Sequence, residues 1–366
     1  MRPVLSLVGL VAAATLVAGC GATSNTASSG SSSPATDSGG QISVFAPPSY
    51  MAPEETDGFA AQFPSYSIKV LPMTSTSSAP QVINQNPDNY DVAWLDTASG
   101  PQMAQQGGLA TFNPANVPNL QYVDLAKWVS PEALAGFPKD SCVPTDVLKE
   151  GFVYDSSVIA EPMTSWSDFF RVAQEHPGKV LYTNSPRDAF SAAQIALGID
   201  PNTEDPDLLT KAQDLLKQFK PTVLSFDNVN VTNAFLNGSV VMGFNYDGVA
   251  GSLLKSDPNL KWVTPSDGSA TFVQMYCLLK GGQGMANGIE KWFNHVLTPS
   301  VAVKHTEKTG LASPEADAVY PLLSGDLASI ATAPQYEPAA KPVTLAPVSP
   351  QTTALMNRMW QEVISG

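Results

Sequence analysis

The sequence predicts an α/β fold divided into two domains, and three observations support this prediction. Of the 366 residues, 43% are hydrophobic, which is enough for one large or two medium cores, and we favour two. Short apolar segments alternate with amphipathic segments, as in parallel sheets that carry helices on both faces. The 26 Gly and 31 Pro residues indicate many loops between these elements.

The charge of the chain excludes one class of partner. Nineteen Lys and Arg residues against 33 Asp and Glu residues give a formal net charge of −14. A protein that binds nucleic acid needs a clustered basic surface to neutralise the phosphates. We therefore expect no nucleic-acid partner.

The first twenty residues are typical of an export signal. Met1-Arg2 provides a positive start, and the apolar run over residues 5–18 is too short to span a bilayer as a stable anchor. The run ends in Leu-Val-Ala-Gly before Cys20, which resembles the lipobox of bacterial lipoproteins, where a peptidase cleaves before a cysteine that carries diacylglycerol. A buried N-terminal helix with an incidental cysteine is the alternative.

Export has consequences for the organisation of the chain. We expect a signal peptide over residues 1–19 and lipidation at Cys20. Residues 20–40, rich in Gly, Ser and Thr, would form a flexible tether. The protein would then be extracytoplasmic, anchored by lipid to the outer face of the cell membrane or to its periplasmic side.

The first half of the body has a predicted β-α-β-α-β order. Strands alternate with helices at residues 41–46, 54–63, 67–71, 78–84 and 90–95. In a parallel sheet the ligand crevice lies beyond the carboxyl ends of the strands. The loops after Ala46 and after Leu95 are therefore expected to face one another.

A second series of strands and helices begins near Gly151. Strands are predicted at residues 152–155, 179–182, 239–245 and 271–279, and helices near residues 165–170, from residue 187, and at residues 207–219, 299–309 and 351–364. The strand at 271–279 is interpreted as a return crossing to the first domain. Residues 333–350 contain five prolines and are expected to form an extended arm.

The sequence lacks the common motifs of catalysis and cofactor binding. It has no phosphate-binding loop, no dinucleotide-binding glycine motif after a strand and no GxSxG nucleophile motif. His176, His295 and His305 are scattered without metal-ligand spacing, and no pair of carboxylates is marked as an acid and base couple. We expect no metal, no cofactor and no enzymatic activity.

Two cysteines remain after Cys20. Cys142 and Cys277 do not form a CxxC motif. In an oxidising compartment two such thiols can pair, and the residues alone leave both a disulfide and two free thiols open.

A series of short motifs has the order and spacing of landmarks in one protein family. They are YDV at 90–92, TSWSD at 164–168, RDAF at 187–190, ALG at 196–198, DPNT at 200–203 and DP at 205–206, followed by KP at 220–221 and FLNGS at 235–239. With the lipobox, residues 41–330 resemble bacterial ABC-transporter solute-binding proteins, specifically the spermidine/putrescine-binding branch.

The resemblance implies a two-lobed periplasmic-binding-protein fold of type II, in which hinge strands join the lobes and the cleft between them closes over a small ligand. Lobe 1 would comprise residues 41–147 and 279–328, and lobe 2 residues 148–278 and 329–366. The crossings would fall near residues 142–151, 277–280 and 327–342. Because both cysteines lie near these crossings, the resemblance keeps a Cys142–Cys277 disulfide among the alternatives. It also implies ABC permease subunits as partners, and we expect a monomer.

The resemblance further implies residues that bind the ligand. Tyr50 stands where the family keeps an aromatic residue after the first strand, and Tyr246 stands where it keeps a tryptophan. Asp188 corresponds to an acid that holds an ammonium group, whereas Ser185 replaces a second acid of the same turn. Gln335 corresponds to a glutamine on the last crossing.

Other positions of the polyamine cleft are not kept. Five family residues are replaced: a tryptophan by Pro47, a threonine by Pro48, a second tryptophan by Val273, an aspartate by Met275 and a tyrosine by Leu311. Each ammonium group that loses its hydration needs a carboxylate or several acceptors. Serine at 185 and methionine at 275 therefore remove two of the usual counter-charges.

New carboxylates could replace the lost ones. Asp96 ends a predicted strand and Asp247 directly follows Tyr246, so both could enter the cleft. Each has an alternative interpretation: the aspartates could cap turns, Asp188 could complement a helix dipole, and Tyr50 and Tyr246 could be ordinary residues at the edge of the core. Trp94 and Trp166 are interpreted as packing residues.

These expectations define a function with alternatives. The leading hypothesis is a receptor that captures a small cationic or amine-bearing solute, polyamines included, by hinge closure and delivers it to a permease. The first alternative is a receptor for another solute such as a sugar or an anion. The others are an extracytoplasmic enzyme and a surface lipoprotein that uses the fold to bind a partner.

Overall fold

The computed structural model describes residues 39–227, 230–324 and 336–366. The predicted signal peptide, Cys20, nearly all of the predicted tether and Gln335 lie outside the described residues. In the part of the chain that is described, no helix combines the length and the apolar character needed to span a bilayer.

Strands and helices alternate along the described residues, as the α/β class requires. The strands are β1 (Gly40–Ala46), β2 (Tyr66–Pro72), β3 (Val92–Asp96), β4 (Cys142–Asp155), β5 (Val180–Tyr182), β6 (Val223–Phe226), β7 (Met242–Tyr246), β8 (Leu260–Val263), β9 (Ser269–Leu278) and β10 (Pro342–Val343). The helices are α1 (Pro53–Gln62), α2 (Ala79–Gln85), α3 (Ser99–Gln105), α4 (Pro131–Gly136), α5 (Trp166–Ala173), α6 (Pro186–Ala196), α7 (Pro206–Phe219), α8 (Val231–Leu236), α9 (Asp247–Ser256), α10 (Ala286–Val296), α11 (Pro299–Thr309), α12 (Ala316–Val319) and α13 (Pro350–Ser365).

The first lobe is built around the three N-terminal strands. β1 lies between β2 and β3 and pairs with both in parallel, while β3 pairs with β9 in the antiparallel sense. Val44 and Val92 in these strands are fully buried and pack in one core with Phe59 of α1 and Trp292 of α10. This core places the carboxyl ends of β1, β2 and β3 at one edge of the lobe.

The second lobe has its own core. β5 pairs in parallel with β6 and β7, and β7 pairs with β4 in the antiparallel sense. Trp166 of α5, Phe190 of α6 and Leu216 of α7 are buried against this sheet. Trp360 of α13 joins the same core, so the C-terminal helix docks on this lobe.

Two long strands connect the lobes. The first part of β4, from Cys142 to Lys149, pairs with β9, and its second part, from Glu150 to Asp155, pairs with β7 and β8. β9 in turn pairs with β3 of the first lobe. β4 and β9 therefore run through the junction between the two cores.

Several elements differ from their predicted limits. The strand predicted at 152–155 is only the end of the 14-residue β4, because pairing with β9 extends it back to Cys142. The strand predicted at 239–245 begins at Met242, since Gly238 has a left-handed φ of 69° and ends the preceding helix in a turn. β6 and β8 were not predicted, and the proline-rich arm includes the short strand β10, which pairs with β9.

Helix termini follow the local sequence more closely. Ser165 accepts a hydrogen bond from the backbone N–H of Asp168 at the start of α5, and Ser185 does the same for Asp188 at the start of α6. Gly310, with φ of 72°, follows α11 in a left-handed cap. Thr298 stands at the N-cap position of α11, but its side chain makes no hydrogen bond to the first turn of that helix.

Candidate functional site

A large cleft lies between the two lobes. It consists of two cavities of about 810 Å³ and 910 Å³ that share the lining residues Ser75, Thr76, Leu148, Tyr246 and Gln274. We call the first the polar half and the second the aromatic half of the interlobe cleft. The shared lining residues place the two halves side by side, and each half has a size that suits a small organic ligand.

Loops at the carboxyl ends of the strands line this cleft. The segment after β1 contributes Tyr50 to the aromatic half, and the end of β3 contributes Asp96 to the polar half. The second lobe contributes Ser185 and Asp188 after β5, and Tyr246 at the end of β7. The cleft therefore brings together five of the residues that the sequence singles out.

Tyr50 and Trp94 form an aromatic surface in the first lobe. Their ring centroids are 5.3 Å apart with an interplanar angle of 37°. Tyr50 is 36% exposed, whereas Trp94 is 6% exposed and its indole N–H donates to Thr145 Oγ1 at 3.4 Å. Trp94 thus packs in the core as predicted, but one part of it supports the Tyr50 ring at the cleft.

Asp96 is engaged by its own loop. Its Oδ1 accepts hydrogen bonds from the backbone N–H groups of Ala98 and Ser99 at 3.0 and 2.7 Å, and its Oδ2 accepts one from Thr76 Oγ1 at 2.6 Å. The alternative interpretation of Asp96, a residue that caps a turn, therefore describes its contacts. Although Asp96 lines the polar half, its main effect is to hold the loops after β2 and β3 together.

Asp188 and Tyr246 form the polar contact of the second lobe. The Tyr246 hydroxyl donates a hydrogen bond to Asp188 Oδ2, and the Tyr246 ring packs edge-on against Phe244. Asp188 is only 8% exposed, and this burial raises the pKa of its carboxyl group. A carboxylate in the cleft wall has already lost much of its hydration. A cationic ligand therefore stabilises it more strongly than it would stabilise a fully hydrated carboxylate.

Asp247 does not enter the cleft, contrary to the prediction. Its side chain is fully buried, and its Oδ2 lies 3.4 Å from Lys149 Nζ, which is also fully buried. Burial raises the pKa of Asp247 to about 6, although the ammonium group of Lys149 opposes this rise. A fully buried carboxylate needs a cation, and because Lys149 supplies it, Asp247 lies behind the cleft wall.

Glu150 is a buried acid at the site that the sequence analysis missed. It is the register partner of Tyr246 on β7, its side chain contacts Asp188, and its Oε2 accepts a hydrogen bond from Ser191 Oγ at 3.1 Å. The available signal was the Lys149-Glu150 pair, two charges inside an otherwise apolar stretch. Alternation along the strand sends these two side chains to opposite faces of the sheet.

The aromatic half also carries positive charge. Lys255 and Lys308 line it together with Glu307, whose Oε2 lies 2.7 Å from Lys304 Nζ. The polar half is lined by Asp96 and Asp188 together with Arg187, and the aromatic half by Lys255 and Lys308 together with Glu307, so carboxyl groups are in excess in the first and lysines in the second.

Cys142 and Cys277 form a disulfide in the structure. They are register partners on β4 and β9, and both are fully buried. The bond joins the two crossing strands at the first-lobe end of the junction. Across the described ranges, no group of three or more His, Cys, Asp and Glu side chains is arranged to hold a metal ion.

Comparison with known proteins gives matches over most of the chain. Residues 56–337 match the family described as bacterial extracellular solute-binding protein. The spermidine/putrescine-binding periplasmic protein 1 of Haemophilus influenzae is 27% identical over 222 residues, which cover 60% of this chain and 60% of that protein. The spermidine/putrescine-binding periplasmic protein of Salmonella typhimurium is 28% identical over 248 residues, or 66% of this chain and 67% of that protein.

The match to curated relatives is partial in length, and the chain spans about 60% of the Haemophilus influenzae protein and 67% of the Salmonella typhimurium one. Solved structures match over more of the chain. The spermidine/putrescine ABC transporter substrate-binding protein of Streptococcus pneumoniae has a TM-score of 0.74 at 17% identity, covering 89% of this chain and 98% of that one. A lipoprotein of Treponema pallidum also has a TM-score of 0.74 at 17% identity, covering 88% and 99%. These structures share the two-lobed fold with this chain.

Proposed function

This chain belongs to the family of bacterial extracellular solute-binding proteins, and on that premise we propose that it captures a small amine-bearing cation in the interlobe cleft for delivery to the permease of an ABC importer. One observation carries the choice of ligand: the buried carboxyl group of Asp188, bonded to the Tyr246 hydroxyl, lies in a cleft that the Tyr50 ring also lines.

The chemistry of these groups suits an ammonium ligand. An ammonium group that leaves water must recover its lost hydration through a carboxylate or several acceptors, and Asp188 offers a carboxyl group at the cleft wall. The faces of Tyr50 and Tyr246 suit an alkyl chain or a cation. The curated relatives named above are described as spermidine- and putrescine-binding proteins, which supports the same ligand class.

A second candidate ligand class follows from the lysines. Lys255 and Lys308 line the aromatic half, and Ser185 and Met275 stand where a polyamine cleft would have acids. These features favour a ligand with an anionic or a neutral polar part. A receptor for a sugar or an anion is therefore the alternative to a polyamine receptor.

The proposed mechanism is closure of the lobes without bond-making chemistry. Tyr50 and Asp188 lie on different lobes, and β4 and β9 join those lobes. A ligand that contacts both lobes binds the closed state more tightly than the open state, so it shifts the population toward closure. The closed, loaded form would be the form that the permease receives.

Calorimetry with the purified protein tests the ligand class. Putrescine and spermidine are titrated beside a neutral sugar and a simple anion such as sulfate. Binding heat with the amines, together with a compaction seen by small-angle scattering, would support the proposal. Heat with the sugar or the anion alone would overturn it in favour of the alternative.

We also propose that the protein is a monomer held at the membrane by lipid on Cys20. The support is the sequence around Cys20, which resembles a lipobox, and the Ser- and Gly-rich stretch that follows it. Mass spectrometry of the N-terminal peptide should find a diacylglycerol-modified cysteine, and a Cys20→Ser variant should lose membrane association. An unmodified N-terminus in the membrane-bound protein would contradict the anchor, and light scattering tests the monomer.

A further inference from the structure

The carboxyl group of Glu150 lies directly behind the wall of the polar half. Glu150 on β4 and Tyr246 on β7 are register partners, so their side chains leave the sheet on the same face. The side chain of Glu150 contacts that of Asp188, which in turn accepts a hydrogen bond from Tyr246. We call Glu150, Asp188 and Tyr246 the acid cluster.

The hydrogen bonds of the acid cluster leave one oxygen without a donor. Glu150 is fully buried, and its Oε2 accepts a hydrogen bond from Ser191 Oγ at 3.1 Å. Its Oε1 has no partner among the described residues. A buried acceptor without a donor is costly, and a proton on either carboxyl group of the pair would supply a donor at the contact.

The electrostatics of the acid cluster also indicate that the two carboxyl groups hold one proton between them. Two carboxylates in contact and away from water repel each other, so one of them keeps a proton unless a cation is present. Burial raises the pKa of Glu150 well above its usual range, and the charge of Asp188 raises it further. Burial also raises the pKa of Asp188.

The other ionisable groups that face Glu150 and Asp188 do not supply enough positive charge to neutralise both carboxylates. Arg187 on α6 contributes a positive charge, but its guanidinium donates hydrogen bonds to Pro201 O, Asn202 Oδ1 and Ala346 O. Tyr182 on β5 is a buried phenol whose hydroxyl donates to Ala189 O. The charge of Arg187 offsets one negative charge of the pair, which leaves the second carboxyl group to be neutralised by a proton.

We propose that Glu150 is the second acid of the ammonium subsite, and that it shares with Asp188 one proton that the incoming ammonium group displaces. This inference rests on the proposed function. On binding, one O–H bond of the pair breaks and the proton passes to water, while the ligand adds one positive charge. The net charge of the subsite stays the same.

The proposal assigns Glu150 a positioning role. It acts through Asp188, which lines the cleft, whereas Glu150 itself is not exposed. It would restore one of the two counter-charges that Ser185 and Met275 no longer provide. The pair should therefore discriminate ammonium groups from neutral hydroxyl groups, because only a cation stabilises both carboxylates once the proton has gone.

Calorimetry in two buffers measures the proton directly. Putrescine is the probe, since its amines remain protonated near neutral pH. Titrations of the full protein in phosphate and in Tris at the same pH separate buffer protonation heat from binding heat. We expect release of about one proton per putrescine bound, and a putrescine affinity that rises about tenfold per pH unit while the pair still holds its proton.

A matched pair of variants assigns the proton to Glu150. Glu150→Gln keeps the shape and donates an amide hydrogen bond, so putrescine should bind without proton release and with an affinity that no longer depends on pH. Asp57→Asn removes one exposed acid from α1 and should keep the release of the unaltered protein. If Glu150→Gln does not fold, equal heats of putrescine binding in the two buffers with the unaltered protein would still overturn the proposal.

Each outcome has a distinct meaning. Putrescine binding with equal heats in both buffers, or unchanged proton release in Glu150→Gln, would overturn the role of Glu150 and leave the proposed function standing. No binding of any amine would overturn the proposed function and the inference together. Buffer-dependent heat that disappears only in Glu150→Gln would support the inference.

Discussion

His305 Nε2 lies 2.6 Å from Asp146 Oδ1, and both side chains are almost completely buried at the junction of the lobes. His305 belongs to α11, whereas Asp146 belongs to the crossing strand β4. On the other side of the ring, His305 Nδ1 lies 2.9 Å from Glu55 Oε2 of α1. One imidazole therefore links the crossing strand to two helices.

This contact predicts that alkaline pH weakens the fold. Burial alone would lower the pKa of His305, but the carboxylates of Asp146 and Glu55 outweigh burial and raise it well above its usual value. A raised pKa gives stability that is fully present below the unfolded value of about 6.5 and is lost as the pH rises through the folded value. Denaturant titrations from neutral to alkaline pH should show this loss.

His305→Gln should remove both the stability and its pH dependence. Leaving two buried carboxylates without their cation should lower the free energy of unfolding by about 3 kcal/mol. His295→Gln is the matched control, because His295 contacts Gln62 Oε1 and Glu54 O and, among the described residues, forms no ion pair with a carboxylate. An unchanged alkaline slope in His305→Gln would show that another group causes the loss.

The disulfide predicts a large stabilisation of the protein. Cys142 and Cys277 are 135 residues apart in sequence, so their bond closes a long loop in the unfolded chain. On the chain-entropy scale, a loop of this length corresponds to roughly 4 to 5 kcal/mol. Cys142→Ser/Cys277→Ser should melt well below the unaltered protein, and a reductant should have no effect on this variant. Two free thiols in non-reducing mass mapping of the unaltered protein would contradict the bond.

The sequence was sufficient for the elements whose signal is local. The apolar strand β3, the serine cap of α5 and the glycine after α11 each follow from residues within one or two turns. The full length of β4 was not accessible in this way, because residues 142–149 are held extended by pairing with β9, more than a hundred positions away.

The site was predictable to the same extent. The resemblance implied Tyr50, Asp188 and Tyr246 as ligand-binding residues, and all three line the cleft, where the carboxyl ends of their strands meet. Whether Glu150 and Asp247 lie at the cleft depends on which charged groups surround them in three dimensions. Sequence order alone does not show that Lys149 pairs with Asp247 while Glu150 contacts Asp188.

The buried Lys149–Asp247 pair predicts strong coupling between the two residues. Lys149 Nζ also donates to Glu337 O at 2.7 Å and lies 5.5 Å from the Trp128 ring centroid. Asp247→Asn or Lys149→Met alone leaves one charge buried without its counter-ion and should cost about 3 to 5 kcal/mol of unfolding free energy. The double variant should recover part of this loss, as a double-mutant cycle by chemical denaturation can measure. Strictly additive losses would contradict the coupling.

The last prediction concerns the aromatic half of the cleft. If the face of Tyr50 contacts the alkyl chain or an ammonium group of the ligand, its ring matters more than its hydroxyl. Tyr50→Ala should therefore weaken putrescine binding by about 1 to 2 kcal/mol in calorimetry, whereas Tyr50→Phe should keep most of the affinity. Tyr122→Ala is the matched control, since Tyr122 is 39% exposed and lines neither half of the cleft. Equal losses in Tyr50→Phe and Tyr50→Ala would show that the hydroxyl binds the ligand and that the ring does not.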